Sequence, residues 1–406
     1  MSEAGSRSVS KETLATRIPW LPLLLLLSIL PLCFLGFGTD NDTYAVLDCG
    51  YGTWHLHVPA TSRNPGYWTY EAIVYVLVRL GGAVLSNLGS FAMAALVAWR
   101  FWRWAERLGV PHRALMTATL IAAPPFVIAA TSTDDYLWSL LFLVLGGEAI
   151  AADRFISAAV LSAIAVAIRG ANAPVIAGGF LAAVVYEIWM HHRFTKRTAK
   201  LGASALLTAI LAAAAFYPSY RLVGNTMDFL RSPGDVRELY SGWLRLAKFA
   251  YKAHQTVGPA AVLVIGIAAV LYLRNRRTAE PNTPRDKQLI FIAAGYLLAN
   301  LLLFLRYPIE YFYLLPALFC VLLLAGATLF AQSRRLSLAL FLTVLSADFV
   351  LPTVVAPNAP GRSTGARLHI GVEPGLVLAD SAERIRYIGC TDWKCFDQRW
   401  HQIHGR

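Results

Sequence analysis

Two aspartates follow directly on the first long apolar run of the sequence. The run covers about residues 19–38, and Asp40 and Asp42 stand behind it in the stretch TDNDTY. Charged side chains at the mouth of a membrane helix are costly and tend to mark function, and the negative end of the helix dipole disfavours carboxylates there. We therefore interpret Asp40 and Asp42 as functional and give less weight to Asp48, which lies farther from the run.

A second acidic pair, Asp134 and Asp135, opens a later apolar run in the stretch STDDY. Ser, Thr and Asp side chains at the start of a helix accept hydrogen bonds from its free N–H groups, and the helix dipole favours a carboxylate there. Capping accounts for one acidic residue. Asp134 therefore has a structural explanation that Asp40 and Asp42 lack.

Three arginines lie in segments that the hydropathy pattern places outside the cytoplasm: Arg63, Arg169 and Arg306. Short external loops usually avoid positive charge, so these side chains suggest an anionic partner. A planar guanidinium suits a phosphate, and a lipid-linked phosphate would reach such a site from the bilayer. The alternative is that each arginine pairs with a nearby carboxylate or reaches the lipid headgroups.

Carboxylates beside a phosphate have two uses in group transfer. One accepts the proton of an attacking hydroxyl as general base. The other orients an acceptor or holds a divalent cation, Mg²⁺ or Mn²⁺, that neutralises the leaving phosphate. This division suits displacement of a lipid phosphate from an anomeric carbon, because a sugar hydroxyl is a weak nucleophile whereas phosphate already leaves well.

Weaker candidates are histidines and cysteines. His55 and His57 fall on one side of an extended segment and could join the first aspartates in a metal site, although ordinary loop histidines are the alternative. Cys390 and Cys395, in CTDWKC, have a spacing compatible with a small disulfide in an oxidising compartment, or are two free thiols. The sequence has no P-loop, dinucleotide glycine fingerprint or Gly-x-Ser-x-Gly elbow, so cytoplasmic nucleotide chemistry is unsupported.

The composition indicates that these residues are positioned by membrane helices. The chain has 406 residues, of which 57% are hydrophobic and only 15% charged, and its mean hydropathy is +0.52. Such values along the whole length are typical of a polytopic membrane protein. The net charge of +12 is then explained by Lys and Arg retained on the cytoplasmic side and not by a nucleic-acid partner.

Apolar runs predict an all-α bundle of about eleven transmembrane helices. They lie near residues 19–38, 80–102, 114–131, 136–152, 155–169, 173–190, 201–218, 256–273, 288–305, 310–330 and 336–355. The first lacks a cleavage site and is expected to be an uncleaved helix. Basic clusters, near residues 100–113, 193–200, 274–287 and 334–335, all fall on the side of the N-terminus. The N-terminus is therefore predicted to be cytoplasmic.

This topology divides the chain into a cytoplasmic segment 1–18, a transmembrane domain 19–355 and a short extracytoplasmic segment 356–406. Two external segments are long, 39–79 and 218–255. Each contains a helical amphipathic pattern, YWTYEAIVYVLVRL and DVRELYSGWLRLAKFAYKAH, which suits a helix on the membrane surface. Together they would form a lipid-facing vestibule, or each is a surface helix that binds nothing.

Several stretches resemble the membrane-embedded glycosyltransferases of the GT-C superfamily. The acidic first loop TDNDTY is followed by TSRNPGYWTYE, which is similar to the Ser-Arg-x-Pro-Gly segments of bacterial members. The resemblance continues in ATSTDDYLWSLLFLVLG, AIAVAIRGANAPVI and LRYPIEYFYLLPALF, in the expected order. It covers about residues 20 to 350 and is nearest to the dolichyl-phosphate-mannose mannosyltransferases and the lipid A aminoarabinose and galacturonic acid transferases.

The resemblance implies a glycosyltransferase of the bacterial inner membrane whose active site is extracytoplasmic. It would take a hexose or pentose from a polyprenyl-phosphate donor and pass it to a cell-surface glycan, lipid or protein, with membrane lipids around it. The roles that the resemblance implies are as follows: Asp40 as general base with Asp42 as alternate or helper; Arg63, Arg169 and Arg306 for the donor phosphate; Asp134, Asp135 and Glu71 for acceptor or metal contacts. The tail after Pro357 is shorter than the soluble domain of many members, so acceptor recognition would use the loops, the vestibule or this tail.

Two other hypotheses remain at this point. A transporter or flippase of lipid-linked sugars also has many spans and intramembrane charges, but it predicts internal repeats and charged or broken helices near the midplane. Here the charges collect at the outer ends of the helices. An O-antigen polymerase or ligase would use external arginines and a lipid pyrophosphate without needing the first-loop aspartates.

Overall fold

The computed structural model describes residues 20–63, 66–224, 243–275, 286–308, 310–355, 369–390 and 392–404. Within these ranges the chain is almost entirely helical, with one two-stranded sheet, which confirms the predicted all-α class. The predicted cytoplasmic segment 1–18 and the first part of the second amphipathic pattern, residues 235–242, lie outside the described residues.

Sixteen α-helices are described, and short 3-10 turns extend two of the shorter apolar helices. They are α1 (Trp20–Ile29), α2 (Asn41–Trp54), α3 (Trp68–Arg107), α4 (Arg113–Ile121), α5 (Pro124–Thr131), α6 (Tyr136–Ala151), α7 (Phe155–Ile168), α8 (Asn172–His191), α9 (Lys196–Val223), α10 (Trp243–Val257), α11 (Pro259–Asn275), α12 (Lys287–Arg306), α13 (Leu315–Ala327), α14 (Arg334–Ser346), α15 (Leu376–Arg384) and α16 (Trp393–His404). The strands are β1 (Val350–Val355) and β2 (His369–Pro374).

The chain is an integral membrane protein, but the number of spans differs from the prediction. Four described helices, α3, α8, α9 and α12, are long and apolar enough to cross a bilayer. The count rises to six if each of the bent pairs α4–α5 and α10–α11 forms one span. The other apolar helices have 10–17 residues, whereas a straight span needs about 20. The expected number of about eleven is therefore not confirmed.

Helix α3 joins an outer arm to a membrane span. The span was expected to begin near residue 80, yet the helix already begins at Trp68. Gly81 and Gly82 depart from helical geometry, with φ at Gly82 of +62°, and bend the helix there. Glycine tolerates this backbone conformation, which a side chain would disfavour. We call residues 68–80 the α3 arm.

The predicted last span, 336–355, is helical only in its first part. Helix α14 ends at Ser346, and β1 then pairs with β2 in antiparallel register, Val350 opposite Pro374. Pro352 lacks the N–H that a continuing helix needs, and the valines around it favour an extended chain. The apolar run therefore predicted a helix correctly up to Ser346 but not the strand that follows.

Small residues allow two membrane helices to approach closely. A Cβ on Gly178 of α8 would lie 2.7 Å from the carbonyl oxygen of Gly295 of α12, and one on Gly179 would lie 2.0 Å from the Tyr296 ring. Such contacts replace the hydrophobic driving force that is absent between helices in lipid. The pair α8–α12 forms part of the large core that surrounds α3 to α7.

A second core joins the tail to the first external segment. It contains Phe37, Val46, Tyr70, Phe396 and Trp400, all at most 4% exposed, and most of its members come from α2, the α3 arm and the tail around α16. A disulfide links Cys390 to Cys395 at the start of α16. The tail is thus folded onto the elements that follow the first apolar helix.

Arg384, at the end of α15, is fully buried and binds the two segments that lead to the acidic pairs. Its guanidinium donates to the carbonyls of Leu32 and Gly36, each at 3.0 Å, and to the carbonyl of Thr131. It also donates to the Thr131 hydroxyl at 3.0 Å and pairs with Asp380 at 3.4 Å. Sequence reasoning gave this arginine no role, because its partners lie as far as 352 residues away.

Replacing Arg384 by Met should destabilise the protein. The change leaves the buried Thr131 carbonyl without its donor, which costs about 1–3 kcal/mol, and removes one of the two donors from the carbonyls of Leu32 and Gly36. We expect the melting temperature of the purified protein in detergent to fall by about 5 °C or more. The control is Arg386→Met, an exposed side chain of the same tail. Equal melting temperatures for the two variants would contradict the structural role of Arg384.

Candidate active site

Asp40 is the N-cap of α2. Its Oδ1 accepts the N–H of Asp42 at 3.0 Å, so the chain enters a second helix directly after the first. Our interpretation that capping does not explain Asp40 was therefore wrong, because the segment 39–79 was treated as a loop. The N-terminal end of α2 also favours both carboxylates electrostatically.

The other oxygen of Asp40 has no such explanation. Oδ2 is buried and finds no hydrogen-bond partner among the described residues. Burial raises the pKa of the Asp40 carboxyl well above its usual range, and the neighbouring carboxylates of Asp134 and Asp42 raise it further. The group therefore holds a proton more readily than an ordinary aspartate and keeps one oxygen available.

A chain of ion pairs links three of the candidate segments. Arg63 donates through Nη1 to Asp42 and through Nη2 to Asp135 at 2.8 Å. Arg169 donates to the remaining oxygen of Asp135. The Asp135 and Arg169 side chains are 1% and 4% exposed, so this carboxylate sits between two guanidinium groups away from water. The alternative that external arginines pair with carboxylates applies to both Arg63 and Arg169.

The first acidic residue of STDDY is held by hydroxyls. Asp134 accepts hydrogen bonds from Thr43 at 2.9 Å and from Ser132 at 2.8 Å. Neither Asp134 nor Asp135 makes a capping bond to α6: Asp135, at the cap position, has helical φ and ψ of −85° and −7°, whereas a capping side chain needs an extended backbone. The predicted capping role was therefore wrong.

Aromatic rings enclose Arg169. Its guanidinium carbon lies 3.8 Å from the centroid of Tyr136 and 4.4 Å from that of Tyr313. Its Nη2 is buried and has no hydrogen-bond partner within the described part of the chain. A small cavity, lined also by Asn172 and Asn300, lies against this side chain. Cation–π contacts of this kind fix a guanidinium without using its donors.

Lys252 and Glu310 form a further side of the candidate site, and sequence reasoning missed both residues. Lys252 on α10 donates to Glu310 at 3.3 Å and lies 5.4 Å from the ring of Tyr311, and its side chain is 12% exposed. Glu310 is close enough to raise the pKa of Asp40. In the sequence, Lys252 lies in the second amphipathic pattern, whose charged residues suit the basic face of a surface helix. The acidic Glu310 within RYPIEYFYLLP was the signal that could have indicated this part of the site.

The remaining candidates do not join this network. Arg306 is exposed and contacts the hydroxyl of Tyr307 at 3.0 Å. Glu71 is fully buried, and its Oε1 accepts both the N–H and the hydroxyl of Ser62, at 2.9 and 2.6 Å. Glu71 thus shapes the turn that presents Arg63.

The histidines lie away from the carboxylates. His55 and His57 are exposed, and the ring of His55 packs on Tyr51 with a centroid distance of 4.5 Å. Among the described residues no three His, Cys, Asp or Glu side chains form a group that could hold a metal ion. These residues therefore do not fit the expected divalent cation, and the reaction proposed for the site does not use one.

The fold of the described helices is also found in a protein of known structure. A crystal structure of ArnT from Cupriavidus metallidurans bound to undecaprenyl phosphate is similar to this chain, with a TM-score of 0.56 and 15% identity. The match covers 77% of this chain and 60% of that one, so the chain spans less than two thirds of ArnT. No family model and no curated protein matches the sequence. At this identity the likeness shows the fold.

Asp135→Ala should be among the most destabilising changes at the site. It leaves Arg63 and Arg169 as like charges without their shared counter-ion, and breaking a buried pair costs about 3–5 kcal/mol. The measurement is thermal unfolding in detergent. Asp134→Asn is the matched control, since its amide oxygen still accepts from Thr43 and its N–H₂ group can donate to the Ser132 hydroxyl in place of the second bond. If Asp134→Asn melts at as low a temperature as Asp135→Ala, the special structural role of Asp135 is refuted.

The stability should also depend on the pH through Asp134. Burial raises the pKa of Asp134 to about 6, against the hydroxyl bonds from Ser132 and Thr43 that lower it. The folded state then binds more protons than the unfolded state, so stability is greatest below about pH 4 and falls as the pH rises through about 6. Asp134→Asn should make the melting temperature less dependent on pH over this window. If the melting temperature of the variant still changes with pH as steeply as that of the wild type, another group titrates there.

Proposed function

We propose that this protein transfers a sugar from a polyprenyl-phosphate-linked donor to a glycan, lipid or protein acceptor at the extracytoplasmic face of the bacterial inner membrane. The observation that carries the proposal is the buried, unpartnered Oδ2 of Asp40 at the start of α2, whose Asp42 is bound by Arg63 in the same ion-pair chain as the buried Arg169. The shared fold with ArnT, whose crystal structure holds undecaprenyl phosphate, supports the same class of donor. The proposed orientation follows the basic clusters, which put the N-terminus in the cytoplasm.

Asp40 is the proposed general base. An acceptor hydroxyl attacks the anomeric carbon of the donor, the bond between that carbon and the phosphate oxygen breaks, and Oδ2 of Asp40 takes the hydroxyl proton. The raised pKa of Asp40 suits this task, because it makes the ionised carboxylate a stronger base than that of an ordinary aspartate. Asp42 is less suited, since Arg63 already occupies one of its oxygens.

Arg169 and Arg63 are the proposed ligands of the donor phosphate. Although both bind Asp135, each keeps a buried donor without a partner in the described chain, Nη2 of Arg169 and Nε of Arg63. An incoming phosphate would satisfy these donors by charge-assisted hydrogen bonds. Lys252 is a third proposed cation, and Arg306, exposed at the end of α12, meets the phosphate at the entrance.

The other carboxylates take supporting roles in this proposal. Asp42 and Asp135 orient the arginines, and Asp134, fixed by two hydroxyls, contacts the acceptor. Glu71 acts through the turn at Ser62 and not on the substrate. The metal role suggested for these residues finds no ligand set here, so the arginines and Lys252 carry the charge neutralisation.

Asp40→Asn should abolish most of the transfer activity. Loss of a general base costs about 10²–10⁴-fold in rate, while the amide still accepts the capping N–H. The assay follows sugar transfer from synthetic polyprenyl-phosphate sugars, with several sugar types, in membranes that contain the variant. Asp42→Asn should lower the rate less, through a looser Arg63. Asp48→Asn is the control, an exposed carboxylate on the same helix.

Three outcomes would overturn the proposal. Full transfer by Asp40→Asn would remove Asp40 as the base. A wild-type protein that transfers no sugar but moves the lipid-linked sugar across the bilayer would be a flippase. Activity that requires a lipid pyrophosphate and survives both aspartate changes would instead fit a polymerase or ligase.

A further inference from the structure

A cleft of about 300 Å³ lies between α2, the α3 arm and the start of α16. We call it the outer cleft. Its lining residues are Val46, Leu47, Gly50, Tyr51, His55, Val74, Tyr75, Val78, Arg79, Asp392, Trp393 and Lys394. None of these belongs to the ion-pair network or to the proposed donor site. The cleft follows the middle and end of α2, whereas Asp40 and Asp42 stand at its beginning.

The walls of the outer cleft are apolar. Val46 and Val74 are each 1% exposed, and Trp393 is 8% exposed and closes the cleft from the tail side. Protein interiors leave few voids larger than a water molecule, and water is held poorly where few polar partners are present. A cleft of this size with such walls is therefore built for an apolar ligand. Its volume is at the small end for ligand pockets, which suits one hydrocarbon chain.

The rim of the cleft is positively charged. Arg79 and Lys394 are exposed, and neither has an ion pair among the described residues. The nearby Asp392 is engaged in the tail, where its Oδ1 accepts the N–H of Cys395 at 2.9 Å. The two cations of the rim are thus free to face an anionic group.

The cleft opens at the level where lipid headgroups are expected. Arg79 stands two residues before the Gly81 kink at which the span of α3 begins. Val76 and Leu80 on the same arm are 51% and 73% exposed, so the arm presents apolar side chains outward beside the basic rim. This combination is typical of a helix at the membrane interface.

We propose that the outer cleft binds a single hydrocarbon chain with an anionic head group, the chain against Val46, Val74 and Trp393 and the head group on Arg79 and Lys394. The tail supplies one wall and one of the two cations. The disulfide between Cys390 and Cys395 brackets Asp392, Trp393 and Lys394, and so holds this wall in place. The proposal does not depend on sugar transfer.

The test uses photolabelling of the purified full-length protein. The probe is dodecyl phosphate with a diazirine at the end of its chain, compared with the corresponding carboxylate and the uncharged alcohol. Digestion and mass spectrometry should find the label on α2, the α3 arm and the peptide that contains Trp393. The phosphate and carboxylate should both label, and the alcohol about fivefold less.

Two variants and two controls separate this site from general lipid contact. Arg79→Gln combined with Lys394→Gln should lower labelling by about fivefold or more, and Val78→Phe, which fills the cleft, should lower it without removing a charge. Arg386→Gln, which removes an exposed charge from the tail outside the cleft, should leave labelling unchanged. So should Asp40→Asn, because the donor site is separate.

The proposal fails if the label spreads over the lipid-facing helices without enrichment, or if neither cleft variant reduces it. Loss of labelling in Asp40→Asn would also overturn it, since labelling would then depend on the site that contains Asp40. Because no outcome relies on glycosyl transfer, a failure here leaves the proposed function untouched, and a failure of transfer leaves this result standing.

Discussion

The carboxylate of Asp135 holds the site together, because it is bound on both oxygens by buried guanidinium groups. Arg63 comes from the first external segment and Arg169 from the short link between α7 and α8, so one side chain joins elements that are distant in sequence. Arg63 then fixes Asp42, and with it the first turn of α2, which Asp40 caps. A buried ion pair of this kind contributes little net stability but strongly penalises every arrangement in which one partner is lost. It therefore specifies where the unpartnered oxygen of Asp40 must lie.

The sequence allowed the class of fold to be predicted, and it singled out charged residues that the helices bring together, but it did not show how those residues pair. Hydropathy located a helix in each of the predicted apolar runs, since burial in lipid demands apolar side chains. It misplaced helix ends, as at Ser346, because an apolar run does not distinguish a buried strand from a helix. Arg63 and Arg169 were identified from the charge rule for external loops. Their shared partner Asp135 was not, because ion pairing between segments depends on tertiary structure.

Two further misses have a common cause. The role of Asp40 as a cap depends on α2, which begins at once after the first apolar run and has no separate hydropathy signal. Lys252 belongs to an amphipathic pattern that describes a membrane-facing helix equally well, and only its distance to Glu310 shows that it borders the site. Local patterns thus indicated the elements and the charges, whereas the pairing of the charges required the packed bundle.

The anchoring of Arg384 has a consequence for how the protein is made. Its guanidinium binds the carbonyl of Gly36, a residue synthesised 348 positions earlier. Since membrane proteins are inserted from the N-terminus onward as they leave the ribosome, the first external segment waits through most of translation for this partner. The segment that carries Asp40 is therefore fixed only after the tail has been made and folded. A nascent chain still held at the ribosome would carry every residue of the proposed site and yet lack the packing that orders it, so an unfinished copy would not have a formed site.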